Sequence, residues 1–137
     1  MKKYLSLLCS LIVSCVFFSS CSKEDPIPEN TNPLEGTRWE YVDRFEEDGV
    51  NITYTYSIAF QTTTATWRID ARMTEGTATL TDVIANETYD YQYEDGLVIM
   101  TPRSANMAYL EGTITSNLKM DVTNVSYGEV IGTFYKK

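Results

Sequence analysis

The sequence predicts an all-β domain, an antiparallel up-and-down meander of about eight or nine strands that closes into a small barrel. Three observations predict it. Apolar and polar residues alternate at period two through most of residues 35–137. No window of about 11 residues carries apolar positions at helical spacing. The alternating runs are joined by short turn sequences, which places consecutive strands side by side. Closure removes exposed sheet edges, and a two-sheet β-sandwich is the alternative arrangement of the same strands.

Each element follows from its own pattern. Thr37–Phe45 sets Trp39, Tyr41 and Phe45 on one face. Val50–Phe60 is the clearest strand: Val50, Ile52, Tyr54, Tyr56, Ile58 and Phe60 alternate with small or polar residues. Asp48-Gly49 joins these two runs. Thr64–Asp70 carries Ala65, Trp67 and Ile69, and Thr77–Val83 carries Ala78 and Leu80 among threonines. Glu87–Glu94 sets Tyr89, Tyr91 and Tyr93 opposite Thr88, Asp90, Gln92 and Glu94. Asp95-Gly96 then reads as a two-residue hairpin turn, because both of its central positions need positive φ. Leu97–Thr101, Ala108–Thr115, Leu118–Thr123 and Glu129–Tyr135 complete the set, with Ser116-Asn117 as the turn between the third-last and second-last runs.

The order of several short motifs resembles the small lipocalin-like lipoproteins of Bacteroidota. They are Leu34-Glu35-Gly36-Thr37-Arg38-Trp39, Tyr91-x-Tyr93 before Asp95-Gly96, Gly112-Thr113-Ile114 with Asn117-Leu118-x-Met120, and the closing Gly132-Thr133-Phe134. The resemblance covers nearly all of residues 35–137 and implies a lipocalin-like barrel; it implies no particular activity. The first strand departs from the lipocalin Gly-x-Trp, since two residues separate Gly36 from Trp39.

The N-terminus reads as an export signal. Lys2 and Lys3 precede an apolar run, Tyr4–Phe18, of about 15 residues, shorter than the roughly 20 a membrane span needs. Ser19-Ser20-Cys21 follows, then the charged Ser22-Lys23-Glu24-Asp25. This is the layout of a bacterial lipoprotein signal peptide over residues 1–20, with Cys21 as the lipidation site. Cleavage before Cys15 is the alternative, but it would leave Val16-Phe17-Phe18 at the new N-terminus. Pro26, Pro28 and Pro33, with Asn30, Thr31 and Asn32, make residues 21–34 an expected lipidated, disordered tether. Ser22-Lys23-Glu24-Asp25 resembles the surface-export signal of Bacteroidota lipoproteins; an ordinary charged linker is the other reading. The expected location is the outer membrane, held by the N-terminal lipid and facing the cell exterior.

Composition excludes several functions. All three cysteines, Cys9, Cys15 and Cys21, precede residue 22, and the chain has no histidine. The folded part therefore has no Ser-His or Cys-His nucleophile pair and no His-based metal site. Loss of Lys2 and Lys3 with the signal leaves nine basic against 19 acidic residues, a net charge of −10, which argues against a nucleic-acid partner. Phosphate loops and dinucleotide fingerprints are absent, so no cofactor is expected. Asp43, Glu46, Glu47 and Asp48 cluster near the first turn, where a solvated, self-repelling turn is favoured over a Ca²⁺ site.

What remains is aromatic. Trp39, Tyr41, Tyr54, Tyr56, Trp67, Tyr89, Tyr91 and Tyr93 fall mostly on inward-alternating positions and are the expected ligand-binding residues. A barrel of about eight strands has room for its own side chains or for one small ligand, and buried tyrosine hydroxyls need partners. A wet, aromatic interior suits a small molecule or glycan in the barrel mouth. A packed core with tyrosine tips in solvent, in a protein-interaction module of the cell envelope, is the alternative. Arg38, Arg44, Arg68, Arg72 and Arg103 are expected to face outward; an inward one would anchor a carboxylate ligand.

Overall fold

The computed structural model describes residues 32–137. The expected signal peptide, Cys21 and most of the expected tether lie outside the described residues. Eight antiparallel strands follow one another around a closed barrel: β1 Arg38–Glu47, β2 Val50–Phe60, β3 Thr64–Glu75, β4 Ala78–Glu94, β5 Leu97–Pro102, β6 Leu110–Ser116, β7 Lys119–Asn124 and β8 Glu129–Lys136. The first and last strands close it through Trp39 opposite Lys136 and Glu40 opposite Tyr135. The sheet closes on itself, so the fold is the barrel and not the sandwich.

The runs Thr77–Val83 and Glu87–Glu94 are one strand, β4. No Gly or Pro separates them, and a bulge absorbs the change of phase. Ile69 of β3 stands opposite Ala85 and Asp70 opposite Val83, so Ile84 is passed over. Below the bulge Ala78 and Leu80 share the inner face; above it Ala85, Glu87, Tyr89 and Tyr91 do. Asp48-Gly49 and Asp95-Gly96 form the tight turns that their composition demands, with φ of 51° and 82° in the first and 48° and 87° in the second. The β6–β7 turn sits one residue later than the pattern places it. Ser116 pairs with Lys119, which leaves Asn117-Leu118 as the turn and Leu118 exposed.

Asn32–Leu34, assigned to the tether by their composition, are packed against the barrel. Leu34 is 1% exposed. The Asn32 side-chain amide donates to the Tyr91 hydroxyl, which donates in turn to the Gln61 carbonyl at 2.6 Å. Thr37 Oγ1 donates to the Leu34 carbonyl and accepts from Trp39 Nε1. Residues 32–37 thus cap one end of the barrel. Beneath the cap, Trp39, Ile58, Phe60, Val98, Met100, Met120, Val122 and Phe134 are buried and fill the interior.

The other end is open and uneven. Strands β1–β4 run 10, 11, 12 and 17 residues, whereas β5–β8 run 6, 7, 6 and 8. β1 meets β8 only at Trp39 and Glu40, and β4 meets β5 only from Tyr89 onward. The outer parts of β1–β4 therefore stand as a tall curved wall above the short side. A second bulge lies at the short rim. Val122 faces Gly132 and Thr123 faces Val130, so Ile131 is passed over and half-buried at the mouth.

Candidate functional site

The mouth holds an open-topped cavity of about 340 Å³. Tyr56, Trp67, Ile69 and Tyr89 line it from the tall wall. Met107 and Ala108, in the β5–β6 connection, cover its side, and Leu110, Asn124 and Glu129–Ile131 complete the short side. The connection is tied down at both ends: Arg103 N–H donates to the Thr88 carbonyl and Tyr109 N–H to Ser126 Oγ.

The eight expected ligand residues separate by height along the barrel. Tyr56, Trp67 and Tyr89 line the cavity. Tyr41 and Tyr54 stand beside them on the inner face of the tall wall, in a continuous aromatic ladder. Tyr54 lies 6.3 Å from Tyr56, and Tyr56 lies 5.6 Å from Tyr41 and 5.9 Å from Trp67, all within the range where tilted ring pairs attract. Trp39 and Tyr91 are at the capped end, where they close the core. Tyr93 lies at the same end, half-exposed beside a crevice of about 160 Å³ with Leu34, Trp39 and Lys136. Five of the eight thus gather at the open end, and Trp39, Tyr91 and Tyr93 do not.

Burial sets the chemistry of the phenols. Tyr56 is pushed above the ordinary tyrosine value, first by burial and then by Asp43, Tyr41 and Tyr54. Tyr89 is raised by burial and by Glu87. Both hydroxyls therefore stay protonated at neutral pH.

Sequence reasoning missed Met107, Ala108, Asn124, Glu129 and Ile131. The most informative is Asn124. Its Oδ1 is buried and has no hydrogen-bond partner among the described residues. Buried acceptors are almost always satisfied, and this one, enclosed in the wall of the mouth, is an exception. Glu129 stands opposite Asn124 in the β7–β8 register.

Every arginine of the described residues is turned away from the cavity or exposed. Arg68 forks onto Asp70 on the outer face at 2.6 and 2.8 Å, and Arg103 reaches Asp90 at 2.6 Å. Arg38 pairs with Glu40 at 2.9 Å, and Arg44 and Arg72 are exposed on the outside of the tall wall. The acidic residues of the first turn do not converge either. Strand alternation sends Asp43 inward beside Tyr54 and Glu46 outward, and no group of three metal-ligating side chains occurs among the described residues. No family model, curated protein or solved structure matches this chain.

Proposed function

We propose that this protein is a non-enzymatic lipoprotein of the outer membrane, anchored through Cys21 and facing the cell exterior, whose barrel mouth binds a small molecule or a single glycan unit. One observation carries the reading: a cavity of about 340 Å³ opens at the barrel mouth, lined by aromatic and aliphatic side chains with a few polar ones, among them Tyr56, Ile69, Asn124 and Glu129. Its size falls at the lower end of small-molecule sites, about 300–1,000 Å³. Aromatic walls with a few placed polar groups are the usual composition of such sites. The absence of His from the chain and of Cys beyond residue 21 supports a binding role over a catalytic one.

The test is native mass spectrometry of the full chain, purified in mild detergent from its source cells. A bound mass is expected in the parent protein and not in Ala108→Trp, which fills the cavity from its side. A bare mass in both proteins overturns the reading.

A second reading has its own support. Val83 and Ile84 are 45 and 53% exposed on the part of β4 that lacks a neighbour from β5. An interaction module would use this surface, and it would work unchanged in Ala108→Trp.

A further inference from the structure

The capped end of the barrel differs in chemistry from the mouth. The three lysines of the described residues all lie there, at the start of β7 and the end of β8. Lys119 stands 5.8 Å from the Tyr135 ring, Lys136 stands 6.0 Å from the Trp39 ring, and Lys137 reaches Glu40 at 3.3 Å. On the arc from the β6–β7 turn through the end of β8 to the start of β1, Arg38 joins them, and the one acid is Glu40, which Arg38 and Lys137 share. Neither Lys119 nor Lys136 forms an ion pair among the described residues. The other acids of this end lie off the arc: Glu35 accepts from Thr62 Oγ1 beside the β2–β3 turn, and Glu94 and Asp95 stand at the β4–β5 turn.

The same arc exposes apolar side chains. Leu118 projects from the turn beside Lys119, and Tyr135 and Tyr93 are partly exposed next to it. Turn tips favour Asn, Gly, Asp and Ser, so a leucine there serves neither the turn nor the core. Leucine, tyrosine and lysine together suit a lipid surface: the leucine enters the acyl boundary, the tyrosine ring sits at headgroup level, and the lysine meets phosphate.

The length of chain before the fold points the same way. Asn32 is packed at the capped end, and ten residues, 22–31, separate it from Cys21. Fully extended, that step spans at most about 40 Å. A lipid on Cys21 therefore delivers this end to the bilayer first, at an effective concentration in the millimolar range, where a weak patch is enough. The open end exposes Leu80 and Tyr127 too. There, however, Glu46, Glu47, Asp48 and Glu75 at the tips of the tall wall outnumber Arg44 and Arg72, and an anionic surface repels them.

Resting on the reading that Cys21 carries the lipid, we infer that the capped end is a membrane-contact face. It lies on the anionic lipid surface that holds Cys21, with Leu118 and Tyr135 at the headgroup boundary and Lys119 and Lys136 on lipid phosphates, and the mouth turns away from the membrane.

The test uses the full-length lipidated protein, purified in mild detergent and reconstituted into vesicles of phosphatidylcholine and phosphatidylglycerol. Leu118→Cys, labelled with the fluorophore NBD, is compared with Leu80→Cys, a leucine of matched exposure at the open end, 62 against 64%. Nitroxide-bearing lipids are expected to quench the label at position 118 several-fold more than the label at position 80. Each lysine near an anionic surface strengthens the attraction about fivefold. Lys119→Gln with Lys136→Gln, and separately vesicles of phosphatidylcholine alone, are therefore expected to remove most of that quenching. Protein that floats with the vesicles but is quenched equally at both positions overturns the contact face and leaves the anchor at Cys21 intact. Quenching at position 118 that neither the lysine variants nor the neutral vesicles reduce does the same. A label at position 118 that is blue-shifted yet not quenched means that a second copy covers the face, which also overturns it. Protein that does not float with the vesicles overturns the anchor and the contact face together.

Discussion

Gly132→Ala is the sharpest test of the barrel's geometry, because one ring depends on the missing side chain. A Cβ at Gly132 would lie 2.8 Å from Cε1 and Cζ of Tyr41 and 2.9 Å from Cδ1. Carbon atoms settle at about 3.5–4.0 Å, so the ring must retreat by about 0.7–1.2 Å. It has little room to do so. Tyr41 is held 5.8 Å from Phe134 on one side and 5.6 Å from Tyr56 on the other, and Phe134 is fully buried. Overpacking of this kind costs about 1–3 kcal/mol, or about 4–8 °C in Tm per kcal/mol for a domain of this size. Urea unfolding of Gly132→Ala, Tyr41→Leu and the double variant measures it. The two changes should couple: Gly132→Ala should cost at least about 1 kcal/mol less in the Tyr41→Leu background, because the clashing ring is gone. A Gly132→Ala variant as stable as the parent, or a cost that is the same in both backgrounds, refutes the placement of Tyr41 over β8.

Three further outcomes follow from the same contacts. Tyr91→Phe strands the Asn32 amide and the Gln61 carbonyl, and should lower the urea midpoint by the equivalent of about 1–3 kcal/mol with an unchanged slope. The Arg68 guanidinium, hydrogen-bonded to Asp70, holds that carboxyl below its usual value. This contribution is fully present above the unfolded-state value of about 3.9 and is lost as pH falls through the folded-state value. Asp70→Asn should therefore shrink the acid-side fall in thermal stability, a small effect at so exposed a pair. Cys21→Ala should move the chain from the membrane to the soluble fraction of fractionated cells, as expected if Cys21 carries the lipid.

Alternation told the sequence reader which face each strand residue occupies, but not its height along the barrel. Trp39, Tyr56, Trp67, Tyr89 and Tyr91 all have the inward parity, and all five turn inward. Trp39 and Tyr91 nevertheless sit at the cap and Tyr56, Trp67 and Tyr89 at the mouth, a difference fixed by where each strand starts. The Asp-Gly turns were legible because only certain residues take positive φ at both positions. The bulges at Ile84 and Ile131 were not legible. A bulge reads in sequence as a break in alternation, and such a break looks the same as the end of a strand. That is why β4 reads as two strands. It is also why Ile131 and its neighbours Asn124 and Glu129 do not read as part of the mouth. Met107 and Ala108 belong to a connection without a period, and only folding shows that it crosses the cavity.

The unequal strand lengths resolve a conflict between stability and binding. A dry, enclosed cavity of about 340 Å³ would cost about 8 kcal/mol at about 24 cal/mol per Å³, comparable to the whole stability of a small domain, about 5–15 kcal/mol. Such a cavity, if dry, would take up much of the stability of a barrel of this size. Because β5–β8 stop short, the space opens to solvent and water carries the contacts that a dry void would lose. The capped half, with Leu34, Trp39, Val98, Met100, Met120, Val122 and Phe134 all at most 2% exposed, holds the fold together without help from the mouth. A ligand then competes with water and not with the protein's own core. It wins where water does poorly, against the apolar lining of the mouth that Tyr56, Ile69 and Ile131 contribute.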